Sequence, residues 1–493
     1  MRIFGRKATG LVLLGLIVGI GVLGSSLGQG VEGRAQPGPV LRAGAATSNI
    51  TPSIGGEIVG GFVPFPSTHI HDELLVRCLV LDNGRTRIAF AVSDNVGISR
   101  YVFDAAKRMV NAETGIPVEN LLMSANHTHS AVSARGKSYL RLEGELDEYQ
   151  KFLSRRIADG IRRAVNNLEP ARIGWAVGSE ASQVFNRRYR MKPGVTSLSP
   201  YGEKDEVRMN PGVGNPNVLE PAGPVDSEIA FLSLQAKNGR PIAILANYSL
   251  HYVGGVGNGH ISADYYGMFA SEVERLLEAR DQDPPFVAMM SNGTSGNINN
   301  INVFGPVEKR KPYEKMRLVA NQVAGEVFKR YQAVVYQDWV PLDAALKDIR
   351  LKLRVPTESE VARAKEVVAR PESEKDRTPQ ERIYATRTLE MANYPPDIAI
   401  PIQALRVGDV GIAAIPTEVF VEIGLEIKKR SPFRPSFTIS LANGAYGYLP
   451  TPEQHKLGGY ETWLGTSRLE FDASTKIVST ILDLFQGLKQ AGN

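Results

Sequence analysis

The chain has 493 residues, enough for one large globular domain or about three smaller ones. Hydrophobic residues make up 43% and charged residues 22%, a composition typical of a folded protein with a sizeable core. Residues 1–35 hold four basic residues and one acidic residue, so the formal charge of +5 becomes +2 without them. That excess of positive charge is too small to indicate a nucleic-acid partner.

Residues 1–24 have the pattern of a targeting segment. Arg2, Arg6 and Lys7 form a basic region, and an apolar run of 13 residues follows at 11–23. This run is short for a membrane span and typical of a signal peptide, so we expect export to the periplasm or the extracellular space. An uncleaved N-terminal anchor, with association at a membrane surface, is the alternative. Residues 25–41 are rich in Gly, Gln and Pro and are expected to form a linker.

From residue 43 onward, strand-like and helix-like segments alternate, which predicts an α/β fold with mixed sheets and flanking helices. Apolar runs predict strands at 74–81, 87–92, 121–123, 172–177, 228–234, 242–247, 286–290, 402–407, 411–415 and 436–441. Helical periodicity predicts helices at 102–111, 147–168, 264–280 and 314–332, and one or two surface helices in the charged stretch 355–395. A further helix is predicted to follow Glu418. The polar stretch 186–226 is predicted to be a long loop. No internal repeat is evident.

The stretch ENLLMSANHTHSA, at 119–131, combines a short apolar strand with two histidines at its end. Alternate residues of an extended chain point to the same side, so His127 and His129 can face one cavity. Open α/β sheets hold ligands at the carboxyl ends of their strands. A His-x-His pair is weak evidence alone, since two hydrogen-bonded loop histidines explain it equally well.

Other predicted strands also end in chemically capable residues. These strand-end residues are His127 and His129, His251, Glu418, Tyr448 and the turn 291–297. Each alone can be an ordinary polar residue, but together they indicate loops gathered around one pocket. Two histidines, a carboxylate and a further nitrogen or oxygen donor suit a catalytic zinc. Asp264 is expected either to orient one of the histidines or to cap the helix that follows.

These blocks resemble the catalytic region of the neutral/alkaline ceramidases, zinc amidohydrolases that cleave the N-acyl bond of ceramide. The similarity runs from about residue 43 to about residue 463, with an unlike insert at 355–395. Its most specific pieces are MSANHTHSA, NYSLHYVGG, HISADYYGMFASEVE, IPTEVF and NGAYGYLPTPEQH. The resemblance therefore predicts one ceramidase-like catalytic domain over 42–493.

The resemblance also implies roles for particular residues. It implies one zinc per chain with four ligands, which are His127, His251, Glu418 and Tyr448. It implies that His129 handles the substrate carbonyl and proton transfer, and that Arg187 and Tyr460 contact the amide region. We expect Arg187 and Tyr460 to donate to the developing oxyanion.

The departures from the family pattern concern the nucleophile and the chain end. The family's nucleophilic serine falls on Asn299, which cannot form an alkoxide, and its Gly-Pro after His-Thr-His-Ser is Ala131-Val132 here. The printed chain ends at Asn493, so we expect no Ig-like C-terminal domain. These differences predict zinc-assisted hydrolysis without an acyl-enzyme.

Three functions remain open at this stage. The first is an exported zinc-dependent hydrolase that cleaves an amide or ester bond of a small molecule or a lipid. The second is a catalytically degenerate relative that binds zinc or a ligand, and the third is a surface scaffold or binding protein. We expect the segments 186–226 and 355–395 to shape the pocket, and both lack long apolar runs. Basic residues near one entry favour small anionic substrates over long-chain ceramide, unless they are simply solvated; these residues are Arg187, Arg188, Arg190 and Lys192.

Overall fold

The fold is built from two β-sheets that pack face to face between layers of helices. The computed structural model describes Gly15 and residues 39–135, 145–371 and 373–491. The predicted targeting segment, apart from Gly15, and most of the predicted linker lie outside the described residues. Within the described ranges, no helix is both long enough and apolar enough to cross a membrane.

The larger sheet has eight strands. They are β1 (Arg42–Asn49), β2 (Leu75–Asp82), β3 (Arg87–Ser93), β4 (Leu121–Ala125), β5 (Glu169–Ser179), β6 (Glu228–Ala236), β7 (Pro241–Tyr248) and β8 (Val287–Asn292). Their order across the sheet is β8-β7-β6-β5-β1-β2-β3-β4. Neighbours are antiparallel except for the outer pairs β3/β4 and β7/β8, which are parallel.

The smaller sheet has four strands. They are β9 (Leu342–Lys352), β10 (Asp397–Val407), β11 (Val410–Ile415) and β12 (Ser436–Ser440), in that spatial order. The first two pairings are antiparallel and β11/β12 is parallel. Short strands of two to four residues form five small sheets, at Glu57–Val59, Phe65–Pro66 and Ala131–Val132; His69–Ile70 and His260–Ile261; Phe185–Asn186 and Ile298–Asn299; Arg188–Met191, Val207–Met209 and Val218–Pro221; and Ser197–Leu198 and Lys204–Asp205. A further pair, Glu418–Val419 with Tyr448–Leu449, lies at the candidate site.

Helices cover the outer faces of both sheets. The α-helices are α1 (Arg100–Thr114), α2 (Glu148–Asn166), α3 (Asp264–Leu276), α4 (Glu314–Tyr331), α5 (Glu358–Ala369), α6 (Glu381–Met391), α7 (Val421–Arg430), α8 (Pro452–Lys456) and α9 (Ala473–Ala491). Single 3₁₀ turns lie at Val118–Asn120 and Tyr460–Thr462. Local signals set some of these bounds. Asp147 and Gln150 form a capping box at the start of α2, and Gly115 ends α1 in the left-handed conformation.

The same supersecondary unit occurs three times along the chain. Each copy has two antiparallel pairings, a crossover helix, a fourth strand parallel to the third, and a closing helix. The copies are β1-β2-β3-α1-β4-α2, β5-β6-β7-α3-β8-α4 and β9-β10-β11-α7-β12-α9, the last with α5 and α6 inserted after β9. The expectation of no internal repeat was therefore wrong at the level of topology, because the units share a pairing pattern that leaves no period in the sequence.

Hydrophobic cores hold these layers together in three places, between the two sheets and on the outer face of each. The inner faces of the two sheets share one core, in which Leu79, Leu232 and Ile412 are fully buried. On the outer face of the larger sheet, α1 and α2 cover one half, and α3 and α4 cover the other. On the outer face of the smaller sheet, α7 and α9 pack over a third core. Apolar burial of this extent is the main favourable contribution to folding.

The predicted α/β fold is confirmed, and every predicted strand and helix has a counterpart within a few residues. The charged stretch 355–395 forms two helices, as expected, and the stretch 186–226 folds into small strand pairs instead of one irregular loop. Among the longer elements, β1, β9 and α9 have no counterpart in the predictions. The strand β9 pairs on one side only and is largely solvent-facing in its middle, so its sequence lacks a buried run.

Close packing of α2 on the larger sheet predicts a strong effect of one small substitution. A methyl group at Gly44 of β1 would overlap the carbonyl oxygen of Ala164 and lie 2.8 Å from the backbone nitrogen of Leu168. We expect Gly44→Ala to lower the free energy of unfolding by about 1–3 kcal/mol, measured by urea denaturation. As a control, Gly325→Ala in α4 meets open space and should stabilise the protein by roughly 0.5–1 kcal/mol. Equal unfolding midpoints for Gly44→Ala and wild type would contradict this packing.

Candidate metal centre

Three buried or half-buried imidazoles converge at the ends of two strands of the larger sheet. His127 and His129 follow β4, and His251 follows β7. Nε2 of His127 lies 3.1 Å from Nε2 of His251 and 3.2 Å from Nε2 of His129. One potential ligand atom from each of the three residues lies within 4.8 Å of the other two. The structure therefore brings the three predicted histidines together at these strand ends.

The backbone turn at His127 is fixed by buried hydrogen bonds. His127 has φ of 78°, a left-handed conformation that costs free energy in a residue other than glycine. Its amide donates to the carbonyl of Asn95. The side chain of Asn126 donates to Asp94 at 2.6 Å, and Asp94 is ion-paired with buried Arg77. These contacts hold the imidazole at the centre of the cluster.

The tautomers of two rings follow from their partners. Nδ1 of His127 lies against the carbonyl oxygen of Val96, and Nδ1 of His251 lies 3.0 Å from that of Ser295. A carbonyl oxygen only accepts, so both Nδ1 atoms carry the proton and both Nε2 atoms present lone pairs. Burial, followed by the neighbouring His127, holds the pKa of His251 well below its ordinary value. Neutral imidazoles with facing lone pairs are the arrangement that a cation requires.

Glu418 brings a carboxylate to the same point. It follows β11, where Glu418–Val419 pairs in parallel with Tyr448–Leu449, so Glu418 and Tyr448 are direct partners in register. Oε2 of Glu418 lies 3.1 Å from Nε2 of His127, yet this buried oxygen has no hydrogen-bond partner among the described residues.

The donor set fits a zinc ion. The shortest separations between donor atoms are 3.1 and 3.2 Å. A tetrahedron with zinc–nitrogen bonds of about 2.0–2.1 Å has donor atoms roughly 3.3 Å apart. An orphaned carboxylate oxygen beside three imidazole nitrogens is also chemically suited to zinc. His127, His251 and Glu418 therefore supply three donors.

Two side chains, His129 and Tyr448, are candidates for the remaining donor. His129 is as close to His127 as His251 is, and its ring stacks on Tyr252 with centroids 3.7 Å apart. Tyr448 accepts a hydrogen bond from Arg187 at 2.9 Å, and burial raises the pKa of its hydroxyl well above the usual range. Burial also lowers the pKa of His129 well below its ordinary value. The geometry thus brings all five residues of the predicted metal and proton-transfer set together.

Arg187 and Tyr460 lie next to this cluster. The guanidinium of Arg187 donates to the hydroxyl of Tyr448 at 2.9 Å and to Glu461 at 2.8 Å, and it approaches Nε2 of His251 at 3.5 Å. The ring of Tyr460 packs edge-on against Tyr448 with centroids 5.7 Å apart. Burial, and then the charge of Glu418, raise the pKa of Tyr460 to about 12, so its hydroxyl stays protonated at neutral pH.

A cavity of about 310 Å³ opens onto the metal-side residues. Its wall includes His127, His129, Glu418, Tyr448 and Tyr460. Other parts of the wall come from residues 57–64 and 465–468, and the helical insert contributes Arg387. The volume is at the lower end of the roughly 300–1,000 Å³ typical of small-molecule sites.

The basic cluster predicted at 187–192 has a different role. Arg187 and Arg188 are buried and share one carboxylate, that of fully buried Glu461. Arg190 pairs with Glu206 at 3.3 Å on a more exposed strand. The first two arginines are thus structural partners of Glu461, because a buried guanidinium needs a counter-charge.

Both polar atoms of the Asn299 side chain have hydrogen-bond partners. Its side chain donates to Asn210 at 2.6 Å and accepts from the amide of Ile301. The buried hydroxyl of Ser295 donates to Asn292 at 2.8 Å. It lies on the Nδ1 side of His251, opposite the convergent Nε2 atoms.

Asp264 holds the glycine-rich turn that follows His251. Its carboxylate accepts from the amides of Val253 and Gly254, at 2.9 and 2.8 Å, and from Tyr265. Burial raises its pKa to about 6, against the opposing effect of these hydrogen bonds. The carboxylate therefore orders the backbone after His251. This role differs from both expectations, which were to orient a histidine side chain or to cap the helix that follows.

Four residues of the site had no role in the sequence predictions. They are Glu461, Arg135, Arg387 and Arg468. Arg135 lies close after the His-Thr-His stretch, so its position was a usable signal. The other three become neighbours of the site only through long-range packing.

Comparisons with known proteins agree with this fold. The family described as neutral/alkaline non-lysosomal ceramidase, N-terminal, matches residues 42–318, more than half of the chain. A crystal structure of neutral ceramidase from Pseudomonas aeruginosa is similar at 18% identity and a TM-score of 0.69, over 92% of this chain and 75% of that one. A structure described as ceramidase complexed with C2 is similar at 17% identity and a TM-score of 0.68, over 92% and 76% of the two chains.

The family match includes His127, His129, Arg187 and His251, and it ends before Glu418, Tyr448 and Tyr460. At these identities, the two solved structures show a common fold. The chain belongs to the neutral/alkaline non-lysosomal ceramidase family.

Proposed function

We propose that this protein is a zinc-dependent hydrolase that cleaves an N-acyl amide or ester bond of a small molecule or a lipid. The observation that supports it is the convergence of three imidazole nitrogens and an unpartnered carboxylate oxygen beside a cavity. We further propose one zinc per chain, held by His127, His251, Glu418 and Tyr448, and action after export. The basic and apolar pattern of residues 1–24 supports export.

In this proposal each nearby side chain has a defined task. Bound zinc supplies Lewis acidity and a water of lowered pKa. His129, neutral and facing the cavity, accepts a proton from the attacking water and returns one to the leaving group. Tyr460 donates its phenolic hydrogen to the developing oxyanion. Arg187 holds the Tyr448 hydroxyl in place through its 2.9 Å hydrogen bond and supplies positive charge behind it.

A substrate screen tests this function. We expect the zinc-loaded protein to hydrolyse short N-acyl amines and short esters with a higher kcat/KM than a long-chain ceramide in detergent. A cavity of about 310 Å³ limits how much alkyl chain the site can enclose, and each CH₂ left in water forgoes roughly 0.8 kcal/mol. Removal of zinc with a chelator should abolish hydrolysis, and added zinc should restore it.

Two outcomes of the screen would count against the proposal. A clear preference for long-chain ceramide would show that the substrate expectation is wrong. Zinc binding without turnover of any amide or ester would favour a catalytically degenerate, ligand-binding relative.

We also expect hydrolysis to proceed without a serine ester. Asn299 is hydrogen-bonded to Asn210, and the Ser295 hydroxyl points to Asn292. A fluorophosphonate should therefore leave the intact mass and the activity unchanged, while a serine hydrolase in the same reaction is labelled. Stoichiometric labelling of Ser295 or Ser291, with loss of activity, would contradict this mechanism.

A further inference from the structure

The cavity beside the candidate metal centre has arginines on its wall, and these are different from the arginines of the 187–192 stretch. They are Arg135, Arg387 and Arg468. The acidic residues on the same wall are Glu57, which is exposed, and Glu418, which faces His127. Three arginines and two glutamates give the wall a formal charge of +1, and bound zinc would make it more positive. A low-dielectric wall of one charge concentrates ligands of the opposite charge.

Arg387 reaches this wall because the helical insert is tied to the rest of the fold. Tyr384, one turn before Arg387 on α6, is buried and hydrogen-bonds Thr466 at 2.5 Å. Its ring also meets Trp463 edge-on, with centroids 5.2 Å apart. Residues three apart lie on the same face of a helix, so this anchoring directs Arg387 toward the cavity.

The stretch 197–205 also holds the insert in place. Tyr201 hydrogen-bonds Thr388 at 2.9 Å, and Thr378 donates to the carbonyl of Pro200 at 2.7 Å. Arg363 pairs with Glu203 at 2.8 Å. The insert is thus a fixed part of the cavity wall, and contacts with the stretch 186–226 hold it there.

The surroundings of Arg387 suit a ligand-binding guanidinium. It is half-buried, and its guanidinium lies over the Tyr384 ring at 4.8 Å from the centroid. Across the described ranges, no carboxylate lies within ion-pair distance of it. Gly465, with φ of 90°, packs against the stem, where a Cβ would lie 3.1 Å from that of Arg387. A planar guanidinium on a cavity wall is well suited to bind a carboxylate through two parallel hydrogen bonds.

Building on the proposed function, we propose that the substrate is an amide or ester that carries a carboxylate, and that Arg387 binds this carboxylate. An N-acylated amino acid is the simplest compound of this class. The scissile bond would lie at the metal-side residues, and the anionic group would lie against the insert. Arg468 and Arg135 would add positive charge to the same wall, each held by a backbone carbonyl, of Gly465 at 3.1 Å and of Val96 at 3.2 Å.

The test compares two compounds that differ in charge alone, N-hexanoylglycine and its primary carboxamide. Dissociation constants are measured by calorimetry on the zinc-loaded full chain, and kcat/KM is measured separately. We expect wild type to favour the carboxylate about 10- to 100-fold, the value of a hydrogen bond to a charged group. Arg387→Gln should reduce this preference at least fivefold, and Arg387→Lys should retain part of it.

A matched control is Lys365→Gln, which removes an equal charge from the exposed side of α5 and should leave the preference unchanged. The thermal midpoint of each variant shows whether it folds. If Arg387→Gln does not fold, the comparison is made with Arg387→Lys. Equal binding of the two compounds by wild type, or no binding of either, would overturn the proposal. A preference that survives in Arg387→Gln would place the carboxylate elsewhere and overturn the role of Arg387.

The two arms separate this inference from the proposed function. Hydrolysis of both compounds at equal rates leaves the hydrolase proposal intact and removes the anion site. Tighter binding of the carboxylate through Arg387, without hydrolysis of either compound, leaves the anion site intact and removes the hydrolase proposal.

Discussion

His127→Ala is expected to purify without zinc, whereas wild type is expected to hold one zinc per chain. Nε2 of His127 is the atom nearest to the other donors, at 3.1 Å from both His251 and Glu418 and 3.2 Å from His129. Loss of a mere outer partner of a metal ligand costs about 10- to 100-fold in affinity, so loss of this central ligand should cost more than about 100-fold. Elemental analysis after dialysis measures the zinc content.

The control for this experiment is His69→Ala, which removes an exposed histidine from a different part of the surface. It should keep its zinc. Thermal unfolding gives a second reading, because a metal that binds only the folded state stabilises it by about 4 kcal/mol at 1,000 times its dissociation constant. A chelator should therefore lower the midpoint of wild type and leave that of His127→Ala unchanged. Equal zinc contents in His127→Ala and wild type would rule out this site.

The same assay distinguishes the two candidates for the remaining donor. If His129 transfers protons, His129→Ala keeps its zinc and loses turnover. If it is a ligand, the variant loses both. Tyr448→Phe, which removes the hydroxyl that Arg187 contacts, should lose its zinc in the first case and keep it in the second.

Glu461→Gln is expected to give the largest loss of stability near the site. Glu461 is fully buried and accepts from Arg187 at 2.8 Å and from Arg188 at 2.7 Å. Glutamine is similar in shape but uncharged, so both buried guanidinium groups would lose their counter-charge. Removal of one partner from a buried ion pair costs roughly 3–5 kcal/mol. Urea unfolding measures this loss, and activity should fall too, because Arg187 also holds Tyr448.

The matched control is Glu206→Gln, which removes a carboxylate that pairs with more exposed Arg190 at 3.3 Å. A surface pair of this kind contributes at most about 1 kcal/mol. Equal losses of stability in the two glutamine variants would show that the buried ion pairs of Glu461 contribute no more to the free energy of unfolding than the exposed pair of Glu206. Added salt should reduce the stability difference between wild type and Glu206→Gln more than that between wild type and Glu461→Gln, because buried charges are screened less.

The stability contribution of Glu461 should also depend on pH. Burial opposes its ionisation, but Arg187 and Arg188 outweigh burial and hold its pKa below the ordinary value of 4.5. A carboxyl whose pKa is lower in the folded state stabilises the protein fully above its unfolded-state pKa. The difference in unfolding free energy between wild type and Glu461→Gln should therefore be constant above pH 4.5 and shrink as the pH falls through the folded-state value. A difference that grew on acidification would contradict this sign.

The local elements and the shared orientation of two of the three metal-side histidines were predictable from the sequence. Apolar runs and helical periodicity are local patterns, which depend only on residues close together in the chain. They predicted the ends of β4 and β7 to within three residues. The His-x-His spacing placed two imidazoles on one side of the chain, because alternate residues of an extended segment share a face. The left-handed turn at His127 had no such signal, since it depends on buried hydrogen bonds that His127 and Asn126 donate to Asn95 and Asp94.

By itself, then, the sequence determined the strands, the helices and the strand-end residues that have metal-binding chemistry. Only the tertiary structure decided which of them meet. Glu418 and Tyr448 come from the third structural unit and reach His127 through a short parallel strand pair. The role of each arginine was decided in the same way. Arg187 and Arg188 are buried in ion pairs with Glu461, while the packing of α6 directs Arg387 toward the cavity. Such charges depend on partners that lie far away in the chain, and no local pattern records those partners.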